Sequence, residues 1–387
     1  MNLKEYSVEE MLTGLPDATV IKSFECFHGK HFDFYFTALG FEERTLSIPE
    51  LLATASESKF TCDECIYFTY ATSTSDNAFN EPRLKRALET ITERSGSRAS
   101  SANMFCDEDG FYNNLHQKVL NKVEQNDGEV SIIIDLSVCS SKLILSLTKL
   151  LFDIRRVKLT VVYTEAATYF PLYEEFANQK EKFLGDSEFS MTSGYEDIIN
   201  SNEFSEGAKE NSDLVIAFAP FKVGRINKIV SDIDESILLN NDNRLIWIVG
   251  HPNFSNAHDC VNRISMTRQI NEIDETAIVY DVPTISYKAT IQKLEEIYRS
   301  NPQFHINIAD LGSKMQTIGI SLFYHFRPDV SVYYALPRVY NSNRYSAGIK
   351  QHWMIEFGSF DAIIDTMNKT DQLDIAFDNP NNLLFFE

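Results

Sequence analysis

The chain has 387 residues, 43% of them hydrophobic and 12% aromatic, which is ample for packed cores and too long for one ordinary core, so two domains of about 150 to 190 residues are expected. A formal net charge of −21 excludes a backbone grip on duplex DNA or RNA, which needs clustered Lys and Arg to displace counterions. It leaves room for a small anionic ligand, because a local pocket can be positive on an acidic protein.

The opening MNLKEYSVEEML has no basic segment followed by an apolar stretch, and no apolar run approaches the ~20 residues that span a bilayer. A cytoplasmic location with no membrane partner is expected. The cysteines are scattered, and Cys62 and Cys65 form a lone C-x-x-C with no second pair and no nearby histidine, the pattern of reduced, partly buried thiols.

In chain order, short runs rich in Val, Ile, Tyr and Phe alternate with helical patterns, the mark of a largely parallel sheet with helices on its faces. Strands are predicted at 32–39, 65–71, 103–106, 130–136 and 158–164, with helices at 44–55, 82–94, 111–124 and 141–152. A second series follows, with strands at 214–219, 245–250, 277–280, 305–311 and 331–336 and helices at 224–239, 255–269, 285–299 and 314–326. The two series match in order and spacing. Asp107 pairs with Asp281 and Asp135 with Asp310 at nearly the same separation, and Ser141-Lys142 corresponds to Ser313-Lys314. The fold class expected is therefore α/β, two tandem Rossmann-like domains with mostly parallel sheets, related by internal duplication. The first domain would cover 1–176 and the second 213–352. Residues 177–212, polar and without a strand pattern, would link them, and the tail 353–387 would pack on the body.

Ligands of such sheets bind outside the carboxyl ends of the strands, where helix N-termini present unpaired N–H groups. At the first junction Gly40 permits a sharp turn into Glu42, Glu43 and Arg44. The acidic pair suits a first helical turn, and Arg44 could hold an anion while a glutamate accepts hydrogen bonds. At the second, Asp135 and Ser137 lead to Ser141 and Lys142, which can meet a phosphate or simply cap and flank a helix. The third, Asp310-Leu311-Gly312-Ser313-Lys314-Met315-Gln316, combines a tight turn, a helix cap and donors within one helical turn. That makes an anion cradle, though not a Walker A loop. After the last repeat strand, Arg338, Tyr340, Asn341, Asn343, Arg344 and Tyr345 could stack a base and read its edge, with Tyr169 at the equivalent place in the first half. His251 and His258 have no third ligand at metal spacing, and neither a G-x-S-x-G elbow, an H-E-x-x-H nor a full G-x-G-x-x-G is present.

The strand-Asp-Ser-Lys-helix junctions at Asp135–Lys142 and Asp310–Lys314, supported by Leu39–Thr45, resemble those of the CRISPR-associated Rossmann-fold (CARF) sensors of bacterial defence systems. The resemblance implies loops that bind a nucleotide-derived ligand in a cleft between the two halves. With no nuclease, protease or membrane segment in view, it also implies a separately encoded effector as partner. The residues leave two other readings open: an enzyme acting on a nucleotide or NAD-type substrate with Glu42 or Glu43 as acid/base, and a scaffold with a degenerate cleft. No cofactor is indicated.

Overall fold

A computed structural model of the chain describes residues 12–54, 60–70, 74–96, 102–105, 110–185, 192–193, 197–205, 212–221, 224–239, 243–253, 256–336 and 339–365. Fifteen strands form two large sheets and one two-stranded ribbon.

The first sheet is built from β1 (Thr19–Val20), β2 (His31–Ala38), β3 (Thr61–Thr69), β4 (Ala102–Phe105), β5 (Val130–Asp135) and β6 (Val157–Tyr169). The second contains β8 (Asp197–Ser205), β9 (Ser212–Phe218), β10 (Leu245–His251), β11 (Ile278–Pro283), β12 (Phe304–Ala309) and β13 (Ser331–Leu336). β7 (Thr192–Ser193) and β14 (Val339–Tyr340) make the ribbon, and β15 (Ser346–Ser359) closes the series.

The strand orders are β1-β15-β6-β5-β2-β3-β4 and β11-β10-β9-β12-β13-β8. Within each, five strands are mutually parallel and follow one plan, third-second-first-fourth-fifth along the chain. The molecule is thus an α/β structure with two mostly parallel, Rossmann-like sheets. Runs such as His31-Phe-Asp-Phe-Tyr-Phe-Thr-Ala38 are buried at all but their first residue, because helices cover both sheet faces.

Among the helices are α1 (Arg44–Thr54), α2 (Glu81–Glu93), α3 (Phe111–Gln125), α4 (Ser141–Asp153), α5 (Tyr173–Asn178), α6 (Arg225–Asp234), α7 (Ala257–Ile270), α8 (Tyr287–Ser300) and α9 (Lys314–Phe326). No helix among the described residues is long and apolar enough to cross a membrane.

The halves share a core. One buried apolar cluster runs from Ile132 and Ile134 of β5, through Leu143 and Leu147 of α4, to Met315 and Leu322 of α9 and Ile306 of β12. α4 packs on α9 and α9 on α8, where Gly319 lets the backbones approach: a Cβ there would stand 2.6 Å from the Tyr287 carbonyl oxygen. Where α4 and α9 begin, Ser141 Oγ lies 3.4 Å from Thr317 Oγ1, so the two Asp-bearing junctions converge.

Two expectations about the connections need correction. The stretch 177–212 is not strandless, since Asp197–Ser205 pairs antiparallel with β13 as an edge strand. Its sequence, DIINSNEFS, is too polar to stand out, because an edge strand need not be apolar on both faces. The second unit also does not end at residue 352. Ser346–Ser359 crosses back to the first sheet and pairs antiparallel with β6, with β1 on its far side. There Trp353, Ile355 and Phe357 alternate inward, the period-2 pattern of a strand. The tail beyond residue 365 lies outside the described residues, as do Cys106 and Arg338.

Candidate functional site

The same plan, repeated, places two topological switch points at the carboxyl ends of β2 and β5 and of β9 and β12. Their side chains are arranged very differently.

In the first half the junctions are closed by their own residues. Arg44, the first residue of α1, is 2% exposed. Its Nε donates to Glu42 Oε2 at 3.1 Å, Nη2 makes a second contact to the same oxygen, and Nη1 donates to the Thr164 carbonyl at 3.2 Å. Glu42 also accepts from Ser346 Oγ, and Asn80 Nδ2 donates to the carbonyls of Gly40 and Glu42 at 2.9 and 3.2 Å. Gly40 is needed for packing: a Cβ there would sit 3.1 Å from Val138 Cβ on the neighbouring loop. Glu43 is exposed.

Asp135 is equally occupied. It accepts from the Ser137 amide at 2.9 Å, from Ser137 Oγ, and from Tyr35 OH at 3.2 Å, while Ser137 Oγ accepts from the Thr164 amide at 2.9 Å. Burial pushes the Asp135 carboxyl up to about 6 against these hydrogen bonds and the nearby Arg44 charge. Ser140 caps α4 by accepting from the Leu143 amide, and Ser141 and Lys142 follow it.

The equivalent junction of the second half is left open. Asp310 Oδ1 accepts from Thr317 Oγ1 at 3.0 Å, but its buried Oδ2 has no hydrogen-bond partner among the described residues. Burial pushes this carboxyl up to about 7, opposed by Thr317, Ser141, the Gly312 amide and Lys314. Ser313 and Gln316 form a reciprocal capping box at the start of α9, and Ser313 Oγ donates to the Thr284 carbonyl at 2.5 Å. Both are therefore committed to structure. Gly312 permits this turn, since a Cβ would stand 2.7 Å from Gln316 Oε1 and 3.0 Å from Phe218 Cδ1. Lys314 is different: its ammonium makes no hydrogen bond or ion pair with any described residue. Burial first, and the Arg44 charge second, push its pKa down, against the opposing charges of Glu42, Cys139 and Asp310.

Lys314 borders a cleft of about 210 Å3 between the halves. Among the described residues, five cationic side chains line it, Arg44, Arg225, Arg263, Lys314 and Lys350, against one carboxylate, Glu165. That carboxylate is spoken for, accepting from Lys350 Nζ at 2.9 Å, Gln351 Nε2 at 3.0 Å and Trp353 Nε1 at 2.9 Å. Phe218, Ile248 and Leu311 supply an apolar wall. Arg263 lies over the Phe221 ring at 4.3 Å and donates to the Pro171 carbonyl at 3.0 Å, joining α7 to the end of the first half. The Tyr345 phenol sits among the charges of both halves: burial and Glu42 push it up to about 12, against Arg44 and Arg225.

Of the residues singled out from the sequence, Arg44, Gly312, Ser313, Lys314, Gln316 and Tyr345 border this cleft, whereas Gly40, Glu42, Glu43, Asp135, Ser137, Ser141, Lys142, Asp310 and Asn341 do not. Asn341 instead opens a short 3-10 turn, its carbonyl accepting from the Arg344 amide, while Arg344 pairs with Glu175 at 2.9 Å. Neither glutamate is placed for acid/base work: Glu42 is held by Arg44 and Ser346, and Glu43 faces out.

Sequence reasoning missed Arg225, Arg263 and Lys350. The first was within reach, because in each half the helix after the first parallel strand opens on an arginine, Arg44 and Arg225. Arg263 lies mid-helix and Lys350 in an unforeseen strand, so neither carried a local signal.

Elsewhere, His251 Nε2 lies 3.2 Å from Cys260 Sγ, and Cys62 and Cys65 are free and buried. His31, Asp33 and Asp63 meet metal-ligand spacing at the amino ends of β2 and β3, but Lys122 already bridges Asp63 at 2.7 Å and Asp33 at 3.4 Å.

No family model matches the chain, and no curated protein matches it. Among solved structures, the chain is similar to a ketoreductase domain from the bacillaene assembly line, with 11% identity over 80% of this chain and 67% of that one and a TM-score of 0.18. It is also similar to a UDP-GlcNAc 2-epimerase from Neisseria meningitidis bound to UDP-GlcNAc, with 8% identity over 72% of this chain and 77% of that one and a TM-score of 0.19. Likenesses at these scores carry no argument, and the reading of the cleft rests on its own geometry.

Proposed function

We propose that the cleft between the two Rossmann-like halves binds a small anionic ligand of nucleotide type, and that the protein acts as a binding module. The observation that carries this reading is Lys314, a cation at a helix N-terminus that makes no hydrogen bond or ion pair with any described residue, in a cleft whose described lining holds five cationic side chains, of which Arg44 is paired with Glu42, and one carboxylate, Glu165, paired with Lys350. On a chain of net charge −21, such a concentration of positive charge is a local exception that an anion would satisfy. An anionic group entering here meets Lys314, Arg225 and the opening turns of α9 and α6, and the wall of Phe218, Ile248 and Leu311 suits the flat face of a base or another ring. The sensor role implied by the resemblance to CARF domains, with a separately encoded effector reading the occupied state, is part of the same proposal.

The test is a thermal-shift panel of mono-, di- and cyclic nucleotides beside inorganic phosphate and pyrophosphate. At least one nucleotide is expected to raise the Tm saturably, with the shift lost in Lys314→Ala. Arg44→Ala is a poor probe, since it leaves Glu42 unpaired in the core. If no nucleotide shifts the Tm, or if the shift survives Lys314→Ala, the proposal fails.

A further inference from the structure

The state of Lys314 in the empty cleft suggests a second chemistry. A lysine partly withdrawn from water, as the half-buried Lys314 is, is normally held as ammonium by a carboxylate or by carbonyl oxygens. Lys314 has neither among the described residues. It is also the first residue of α9, a 13-residue helix whose positive end disfavours another cation. The Arg44 guanidinium faces it from the first half, and Phe218 and Leu311 line the same cleft. The groups that oppose these effects are weakly placed. Glu42 is already paired with Arg44, Cys139 is a buried thiol that donates to the Asp135 carbonyl at 3.3 Å, and burial hinders ionisation of the Asp310 carboxyl. Desolvation beside another cation is the arrangement that turns a lysine into a nucleophile, because the ammonium loses its proton more readily there.

We propose that Lys314 is a reactive amine that captures carbonyl compounds carrying an anionic group, through a reversible imine. Nζ, as the free amine, attacks the carbonyl carbon and forms a C–N bond. The carbonyl oxygen takes up two protons, one released by the nitrogen at addition and one at dehydration, and departs as water, leaving a C=N bond. Hydrolysis reverses the sequence, and no oxidant or reductant is needed. Arg225 and Arg263, on the cleft wall contributed by the second half, would hold the anionic group. The inference rests on the cleft being open to anions, as in the proposed function, but does not require the ligand to be a nucleotide.

The probe is pyridoxal 5′-phosphate, an aldehyde with a phosphate, added at neutral pH, trapped with borohydride and located by peptide mass spectrometry. Each unit by which the lysine pKa is lowered multiplies its free-amine fraction at neutral pH about tenfold. Lys314 is therefore expected to label measurably faster than the exposed Lys22 and Lys158, with pyridoxal lacking the phosphate markedly slower. Lys314→Met should remove the fast label while circular dichroism stays at wild type and the Tm does not fall. Labelling of Lys314 no faster than of the exposed lysines, or equal rates with and without the phosphate, overturns the inference. The two proposals fail separately: fast labelling with no nucleotide shift leaves the amine standing, and a nucleotide shift without fast labelling leaves only the binding site.

Discussion

The two halves repeat one strand order and one Asp-bearing junction, yet Asp135 and Asp310 sit in opposite circumstances. Asp135 is surrounded by donors from Ser137 and Tyr35, whereas Asp310 has an oxygen with no hydrogen-bond partner among the described residues and is followed by a lysine that makes no ion pair with any of them. Arg44 is tied down by Glu42, while Arg225, which opens the corresponding helix of the second half, borders the cleft. The difference teaches that one junction serves as a brace while the other holds polar groups with no partner among the described residues, which are costly unless something outside the chain completes them. Stability and binding are thus divided between the halves, and substitutions should separate them.

The largest effect is expected on the braced side. Glu42→Ala strands the Arg44 charge in the core and should cost about 3–5 kcal/mol, measured by urea denaturation. On the open side the sign reverses. The folded-state pKa of Asp310, about 7, lies above its ordinary 3.8, so the folded protein holds an extra proton between these values and stability falls as pH rises through that window. Asp310→Asn should therefore match wild type near pH 4 and exceed it above pH 7 by on the order of 3 kcal/mol, read from denaturation curves at a series of pH values. An unchanged difference across the window would mean that Asp310 is paired after all. Asp135→Asn should show a narrower window, closing near its value of about 6, and a smaller gain, because its hydrogen bonds are lost as the charge is removed.

Smaller still, Lys314→Met should stabilise the empty protein by about 1 kcal/mol, since a half-buried cation with no ion pair among the described residues is replaced by an apolar chain of similar length. If the variant is destabilised instead, Lys314 has a partner in solution and the asymmetry between the halves is weaker than drawn. Glu43→Gln, on the exposed position of the first junction, should stay within about 0.5 kcal/mol of wild type and leave ligand binding intact. A binding defect there would restore a role to the acidic pair.

Much of the architecture was legible because parallel strands buried on both faces read as continuous apolar runs, and the repeat doubled the signal. Strands at 130–136 and 305–311, and the helices after them, are found within a residue or two of their predicted places. The antiparallel additions were hidden for different reasons. β8 is a polar edge strand, and β15 alternates correctly but follows a series that looked complete. The site was half legible. The Gly312-Ser313-Lys314 turn announced a helix start with a cation, yet nothing local revealed that Ser313 and Gln316 would be consumed in capping while Lys314 formed no ion pair with any described residue. Arg44 and Glu42 looked like ligand-binding groups, but they bind each other, an outcome that depends on Ser346 and Thr164 arriving from far along the chain.

The asymmetry of the junctions is tested most directly by calorimetric titration with whichever nucleotide the thermal panel selects. One ligand per chain is expected, with binding abolished by Lys314→Ala and retained by Lys142→Ala, its counterpart in the braced half. Two ligands per chain, or loss of binding in Lys142→Ala with retention in Lys314→Ala, would contradict it.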